Sequence, residues 1–492
     1  MALGVWHFAA KSHIDVKRVY SRFGNIVSDN TVRKALDSMT GSSLSILRDS
    51  VRAATERGQT EWCLILDNVQ EYCPVYEGGI ARESILKVGT AATAIRIDCK
   101  PGAFDLETHL LRVAQMNRKK MTVETLRADI DWDHLRNVQM LHWVRVLVDY
   151  VPDLNFLSSQ ISDRFRSSPI AKHRMREGRK TIVQPLGTNA EREIETQGMA
   201  RALLDFDEQM GLGPEAADKL LSWVRGDGAS YATILRLQKY VAPIPDNQKS
   251  FRNRIATPEI WHAKATNINA IAANHYGPAT SKDPSSLSRS SNAAGFKRPT
   301  NLSSCDFYPT VRSMTLIWEA HVLDCWRLVQ AHPFFVNVSL IWGKFRVFLD
   351  AKPDLLSHFT GLRKNKELPT LDALLLQAAI LVDRYASQDA YEQALSKAES
   401  TDAPAPMKIE FNSLWTRSAH SVSSMPESST APDTNENLPK AHQESKDFDG
   451  DRVLANSILF MQDFSWWMEL AYAIPEGDIG RVFEILKVNN FA

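Results

Sequence analysis

WCLILDN at residues 62–68 is a short apolar run that ends in an acid, Asp67. A second run, LLSWVR at residues 220–225, leads into a glycine, Asp227 and a second glycine. Short apolar runs bounded by polar residues or glycine are typical of buried strands. An aspartate at the end of such a strand is held by the sheet yet accessible from solvent, and two of them on adjacent strands can bind a hard divalent cation. The two runs therefore predict a metal site for phosphoryl transfer, with the alternative that each aspartate only begins a turn.

The composition limits the classes of protein to consider. The 492 residues are enough for two or three domains, or for one core with large insertions, and a content of 44% hydrophobic and 24% charged residues is normal for a soluble globular protein. The formal net charge is zero, so any nucleic-acid surface has to be local. The five cysteines include no C-x-x-C pair, which argues against a structural zinc site. The sequence has neither a signal-peptide pattern nor a long apolar segment, so we expect a soluble intracellular protein with no membrane partner.

The order of the predicted elements indicates an α/β fold. A strand ending at Asp67, an antiparallel partner at 85–98 and a short strand at 181–186 precede a helix at 189–210. The strand ending at Asp227 and another helix follow. This is the order of an RNase H-like mixed sheet core, here with large α-helical insertions that make the chain predominantly helical overall.

The same patterns predict the organisation of the whole chain. We expect a helical N-terminal region at 1–60, with one helix beginning near Ser28 and another at 43–54, and an RNase H-like core at 61–278. The core contains a helical insertion at 104–175 and a fifth short strand at 258–262. Further along the chain the predicted parts are a linker at 279–304, a helical insertion at 305–395 with helices at 310–331, 334–350 and 371–387, a disordered segment at 396–450, and C-terminal helices at 451–492 that complete the core.

Six phrases occur together in the chain: LDNVQ at 66–70, GTAATA at 89–94, LVDYVP at 147–152, GDG at 226–228, WH at 261–262 and EGDIGR at 476–481. In this order they resemble a large fungal family named only as domain of unknown function 6589. That family looks transposase-derived and is similar to DDE/RNase H-like transposases with helical insertions. Its members usually continue beyond EGDIGR, so the end at Ala492 predicts a truncated gene model or a decayed copy.

The resemblance implies a DDE site. Asp67 and Asp227 would be its first two acids and would bind two Mg²⁺ or Mn²⁺ ions about 3.5–4 Å apart. A third acid from a late helix would complete the site, and we prefer Glu476, which follows Pro475 at a predicted helix start. The alternative is that an acid there only favours the helix dipole and pairs with Arg481.

Four residues are auxiliary candidates. Asp478 and Arg481 lie in the same motif as Glu476, and Glu319, on another predicted helix, competes with Glu476 for the role of third acid. His262 follows an aromatic residue, and related transposases often place a histidine near the second aspartate, where it contacts phosphate or positions water. The alternative for His262 is a structural histidine held by hydrogen bonds.

One stretch of the chain is strongly basic. The basic residues between 164 and 180, against Glu177 alone, are Arg164, Arg166, Lys172, Arg174, Arg176, Arg179 and Lys180. They predict phosphate contacts to DNA, with a solvated helix face as the alternative. No helix-turn-helix or zinc-finger pattern that would recognise bases accompanies them.

Two functions from different classes follow. The first is a transposase-derived DDE/RNase H-like protein that cleaves and transfers DNA strands with Mg²⁺ or Mn²⁺, and that acts in the nucleus. The second is a non-catalytic DNA-binding or scaffold protein that keeps the fold. The sequence leaves the oligomeric state open.

Overall fold

The computed structural model describes residues 1–10, 12–75, 83–100, 102–327, 369–400 and 450–489. The chain forms two compact units, and each unit is built from separate segments of the chain. Unit 1 contains Met1–Lys120 and Gly178–His262, and unit 2 contains Met121–Glu177 and Ala263–Ala492.

Helices dominate the described residues. In chain order they are α1 (Ala2–Ala9), α2 (Ile14–Arg22), α3 (Asp29–Glu56), α4 (Leu106–Ala114), α5 (Val123–Ala128), α6 (Trp132–Tyr150), α7 (Ser158–Arg166), α8 (Thr196–Met210), α9 (Pro214–Lys219), α10 (Gly228–Tyr240), α11 (Ile260–His275), α12 (Leu287–Ala293), α13 (Phe307–Arg327), α14 (Leu371–Tyr385), α15 (Gln388–Ser400), α16 (Gly450–Glu476) and α17 (Ile479–Asn489). Two short 3-10 helices span Asn117–Lys120 and Pro152–Leu157. The strands are β1 (Trp62–Cys73), β2 (Ile85–Arg96), β3 (Val183–Pro185), β4 (Ser222–Gly226) and β5 (Arg254–Pro258).

The strands of unit 1 form one mixed sheet in the order β3-β2-β1-β4-β5. The pairs β1–β2 and β2–β3 are antiparallel, which confirms the predicted ribbon of the first two strands. The pairs β1–β4 and β4–β5 are parallel. The molecule is thus a predominantly helical protein with one mixed sheet, consistent with the predicted α/β class.

One face of the sheet is covered by helices because alternate residues of the strands are apolar. Leu64 and Leu66 of β1 and Val224 of β4 belong to a buried cluster with residues of α3, α8 and α10. The helical residues of this cluster are Leu47, Val51, Met199, Ala202, Leu203, Phe206, Met210, Ile234 and Leu237. The sheet therefore has a rigid support under the strands that carry the two aspartates.

Four predicted boundaries in unit 1 are wrong. β1 does not end at Asp67, because β2 pairs with it as far as Cys73. The fifth strand precedes the predicted 258–262, so Trp261 and His262 lie in the first turn of α11. The helix predicted at 189–210 begins at Thr196, because the residues before it bind to β2 instead. The two helices predicted before residue 56 are one continuous helix, α3, whose exposed Gly41 costs only about 1 kcal/mol relative to alanine.

Unit 2 is a helical assembly around a large aromatic core. Trp143 of α6, Trp318 and Trp326 of α13 and Phe464 of α16 are all buried in one cluster. The indole of Trp318 donates to the carbonyl of Met461, and the indole of Trp326 donates to the carbonyl of Trp143, so both buried N–H groups are satisfied. The predicted helices at 310–331 and 371–387 correspond to α13, described to Arg327, and α14.

The low-complexity stretches gave mixed outcomes. The predicted linker at 279–304 contains α12, where Ser288 and Ser291 are buried and the Ser291 hydroxyl lies 2.9 Å from that of Ser313. Serine satisfied in this way packs like a small core residue, which composition alone does not reveal. The predicted disordered segment is wrong at 396–400, which end α15. Its residues 401–449, and the predicted helix at 334–350, lie outside the described residues.

Among the helices described, none has the length and apolar character needed to cross a membrane.

Candidate carboxylate site

Asp67 and Asp227 lie on neighbouring strands, at the same edge of the sheet. The parallel register of β1 and β4 pairs Leu64 with Val224 and Ile65 with Arg225, and each aspartate follows two residues after this last pair. Neighbouring strands lie about 4.8 Å apart, so the two residues begin close together. Asp67 is exposed on the part of β1 that extends past β4, and Asp227 is half-buried directly after β4.

Asp227 also begins the next helix. Its Oδ1 accepts a hydrogen bond from the backbone N–H of Ser230 at 2.7 Å and so caps the N-terminus of α10. This is the usual role of aspartate at the first position of a helix. The glycine before it is also needed, because a Cβ at Gly226 would lie 2.8 Å from the Cβ of Ser230. The Gly-Asp-Gly motif therefore fixes one carboxylate at the carboxyl end of β4.

A third carboxylate of unit 1, Glu193, belongs to the same edge. Its side chain is only 3% exposed, and its Oε1 accepts a hydrogen bond from the Ser230 hydroxyl at 3.0 Å. Its Oε2 is buried and has no hydrogen-bond partner among the residues that the structure describes. Burial raises the pKa of Glu193, the Ser230 hydrogen bond opposes this, and the charges of Asp227 and Asp67 add to the rise. The three acids are thus electrostatically coupled.

Glu193 was not among the residues predicted from the sequence. It lies in the segment between β3 and α8, which the sequence predicted to be helical, and Glu191 and Glu195 stand on either side of it. Nothing in the order of residues distinguishes the three glutamates. The available signal lay in GTAATA, since Gly89 and Thr90 of β2 hold this segment.

Glu476 lies in unit 2 and is held in a different way. It is the last residue of α16 rather than the first of a helix, because Pro475 is accommodated inside that helix. Its two oxygens accept bonds from Arg166 at 2.9 and 3.0 Å, and Arg174 lies 3.4 Å away. The Arg166 hydrogen bonds lower the pKa of Glu476. Both oxygens are therefore engaged by arginine.

The rest of the EGDIGR motif is also engaged within unit 2. The buried Asp478 accepts from the backbone N–H groups of Lys172 and His173 at 2.9 and 2.8 Å and from that of Arg481 at 3.2 Å, so it caps α17 and binds the preceding segment. Gly477 has φ +67°, which favours glycine. A Cβ at Gly480 would lie 2.9 Å from the His173 nitrogen. The motif joins the 172–173 segment to the C-terminal helices.

Arg481 belongs to a buried network with two other side chains, the His142–Glu469–Arg481 network. Its guanidinium donates to the two oxygens of Glu469, each at 2.7 Å, and His142 Nε2 lies 2.6 Å from Glu469 Oε2. Burial alone would raise the pKa of Glu469, but His142 and Arg481 together lower it. Burial lowers the pKa of His142 to about 4. Ionised Glu469 therefore pairs with Arg481 and accepts the Nε2 proton of a neutral His142.

The remaining acid and histidine candidates have structural partners. Glu319 accepts a hydrogen bond from the Tyr150 hydroxyl at 2.6 Å in unit 2, and burial raises its pKa. His262 lies in the first turn of α11, with its ring 5.0 Å from that of Trp261. These contacts give neither residue a distinct chemical role.

The basic stretch is largely neutralised by ion pairs. Within unit 2, Arg164 pairs with Asp372 at 2.9 Å, Arg166 and Arg174 with Glu476, and Lys172 with Asp131 and Glu484. Within unit 1, Arg179 pairs with Asp98 at 2.8 Å. Arg176 and Lys180 are exposed. The sequence pattern counted positive charges but could not show the acids that face them.

Carboxylate oxygens are the ligands preferred by Mg²⁺ and Mn²⁺, so the donors at the sheet edge suit such an ion. In the part of the chain that the structure describes, no three His, Cys, Asp or Glu side chains already have the spacing of a metal-ligand set. Glu193 and Asp227 are held by Ser230, and Asp67 Oδ1 accepts a hydrogen bond from the backbone N–H of Asn68 at 2.9 Å. A closed ligand set therefore requires a rearrangement of these side chains.

These features define a predominantly helical protein with a mixed sheet whose edge carries coupled carboxylates. A comparison with protein families matches residues 116–492 to the family of unknown function DUF6589. The match covers more than half of the chain, and the chain belongs to this family. The comparisons with curated proteins and with solved structures gave no match. The matched residues include Glu193, Asp227 and Glu476 but not Asp67.

Proposed function

We propose that unit 1 is an RNase H-like, transposase-derived domain that cleaves DNA strands with the help of Mg²⁺ or Mn²⁺. The observation that carries the proposal is the pair Asp67 and Asp227 on adjacent parallel strands. In open α/β sheets, ligands bind beyond the carboxyl ends of the strands where the chain connections diverge. From β1 the chain continues to β2 on one side, and β4 leads to β5 on the other, so the aspartates lie at such a point.

The sheet order gives independent support. In the sheet order β3-β2-β1-β4-β5, β2 is antiparallel to its neighbours, and along the chain the helices α8 and α9 lie between β3 and β4. This order supports the proposal because the sequence predicted the same succession of strands and helix along the chain for an RNase H-like core. In phosphodiester cleavage a water oxygen attacks phosphorus, the P–O3′ bond breaks, and a 3′ hydroxyl and a 5′ phosphate remain. A bound divalent ion would supply charge stabilisation of the attacking and leaving oxygens. The aspartates would hold that ion, and the sheet would fix their position.

The test is nicking of supercoiled plasmid DNA in Mg²⁺ and in Mn²⁺. We expect wild type to nick and Asp67→Asn or Asp227→Asn to lose more than about 100-fold, the upper end of what an outer-shell partner of a metal ligand is worth. Asparagine caps helices as well as aspartate does, so Asp227→Asn keeps the start of α10. Asp37→Asn, an exposed position of α3, is the matched control. Equal nicking by Asp67→Asn and wild type would refute the proposal.

A second candidate is a non-catalytic DNA-binding or scaffold protein with the same fold. The capping role of Asp227 favours it, because capping alone already accounts for an aspartate at this position. The ion pairs of the basic stretch favour a scaffold over DNA binding. If the protein binds DNA but does not nick it in Mg²⁺ or Mn²⁺, the result would support a DNA-binding protein. If it neither binds nor nicks DNA, the result would support a scaffold.

A further inference from the structure

The buried carboxylate of Glu193 is unusual in its lack of compensation. One oxygen accepts from the Ser230 hydroxyl, and the described residues provide neither a hydrogen-bond partner for the other oxygen nor an ion pair to this side chain. A buried ionised carboxylate is stable only when a cation or several hydrogen bonds compensate it. A protonated Oε2 would be a buried donor without an acceptor, which is also unfavourable. A cation at Oε2 would resolve both problems.

The chain holds Glu193 in this position by close backbone contacts. Thr90 and Asn189 exchange two backbone hydrogen bonds of 3.1 Å, and the Thr90 hydroxyl donates to the carbonyl of Glu191 at 2.8 Å. A Cβ at Gly89 would lie 2.2 Å from the Asn189 oxygen, and a Cβ at Gly198 would lie 2.1 Å from the Arg192 oxygen. Because Gly89 and Gly198 have no side chains, the backbone of the 189–193 segment can pack closely against β2 and α8.

Ser230 connects this carboxylate to Asp227. Its hydroxyl donates to Glu193 and its backbone N–H donates to Asp227, so one residue orients two of the acids. Glu476 offers a clear contrast because arginines occupy both of its oxygens. Of the two glutamates, only Glu193 presents an oxygen without a partner.

We propose that Glu193, and not Glu476, is the third carboxylate of a divalent-cation site formed with Asp67 and Asp227. The ion is of the Mg²⁺ or Mn²⁺ class, because all three side chains would bind it through carboxylate oxygens. Ser230 is a positioning residue that sets the orientation of Glu193 and Asp227. This inference rests on the proposed function for its catalytic meaning, but cation binding can be measured without DNA.

The first experiment measures Mn²⁺ binding to the full chain by calorimetry or electron paramagnetic resonance. We expect Glu193→Gln to weaken the Kd for Mn²⁺ by more than about 10-fold, since changes to outer-shell partners already cost about 10–100-fold. Glu476→Gln and Glu56→Gln, the latter an exposed residue of α3, should bind as wild type does. Unchanged binding by Glu193→Gln, or no Mn²⁺ binding by wild type, would overturn the inference.

Thermal unfolding separates a ligand role from a structural role. Without metal, Glu193→Gln removes a buried charge beside two acids but leaves a buried amide N–H group without an acceptor, so we expect its Tm to lie close to that of wild type. Added Mn²⁺ should raise the Tm of wild type and leave that of Glu193→Gln unchanged. A lower Tm of Glu193→Gln without metal, with an undiminished Mn²⁺ response, would identify Glu193 as a structural residue.

The nicking assay distinguishes this inference from the proposed function. If Asp67→Asn and Asp227→Asn abolish nicking while Glu193→Gln retains it, the inference fails and the function stands. If Mn²⁺ binding requires all three acids but wild type cleaves no DNA, the site stands and the function fails. Ser230→Ala should weaken Mn²⁺ binding less than Glu193→Gln does, and an equal or larger loss would contradict its role as a positioning residue.

Discussion

The substitution Glu469→Ala should destabilise unit 2 more than the replacement of both Glu469 and Arg481 by apolar residues does. In Glu469→Ala, the Arg481 guanidinium, which is 1% exposed, loses both of its hydrogen bonds. Removing one partner of a buried ion pair costs about 3–5 kcal/mol. His142 Nε2 also loses its acceptor, which adds about 1–3 kcal/mol. The rings of Phe165 and Tyr472, 4.9 and 5.6 Å from the guanidinium, compensate a small part.

We therefore expect Glu469→Ala to lose about 4–8 kcal/mol of stability. For a domain of about 150–250 residues each kcal/mol lowers the Tm by about 2–4 °C, so the transition of unit 2, which is slightly larger, should fall by about 10–30 °C in calorimetry. The double variant Glu469→Leu/Arg481→Met leaves only His142 without a partner and should be more stable than the single variant. The matched control is Glu392→Ala, an exposed helical residue whose loss should cost at most about 0.5 kcal/mol.

The comparison of the single and double variants tests whether the uncompensated guanidinium of Arg481 causes the loss of stability. If the double variant is as unstable as Glu469→Ala, the uncompensated guanidinium is not the cause of the loss. If Glu469→Ala shifts the Tm no more than Glu392→Ala does, the network contributes little and the reasoning about buried charge is refuted. Circular dichroism at low temperature would verify that each variant starts from a folded state.

Two further predictions concern pH and β2. Burial lowers the pKa of His142 and of His321 to about 4, so the unfolded chain binds more protons than the folded one between about pH 6.5 and pH 4. Stability should fall as pH falls through this window, and His321→Gln should flatten that dependence in urea unfolding; an unchanged pH slope would contradict the sign. Gly89→Ala should displace the Asn189 carbonyl and weaken Mn²⁺ binding, whereas Gly41→Ala, at an exposed position of α3 where a Cβ would meet nothing within 4 Å, should leave Mn²⁺ binding unchanged; equal Mn²⁺ affinity in both variants would refute the role of Gly89.

The fold could be predicted as far as it depends on local pattern. The apolar runs before Asp67 and Asp227 indicated two strands of one sheet, and the β-branched run at 85–98 indicated an antiparallel partner. Boundaries that depend on tertiary contacts could not be predicted. β1 continues past Asp67 because β2 pairs with it to Cys73, and α8 begins late because the preceding residues bind β2. A pairing partner far along the chain leaves no mark on the local period.

The third acid of the site could not be predicted because motifs do not distinguish chemistry from packing. EGDIGR is the most distinctive phrase of the chain, and it drew attention to Glu476 as a metal ligand. Buried polar networks also demand specific residues, since each charge needs a partner in fixed geometry. A carboxylate is a better candidate for a metal ligand when its oxygens do not already have hydrogen-bond or ion-pair partners. Those of Glu476 both bind Arg166, whereas Oε2 of Glu193 is buried and has no partner in the described part of the chain, so the less distinctive glutamate is the better ligand candidate.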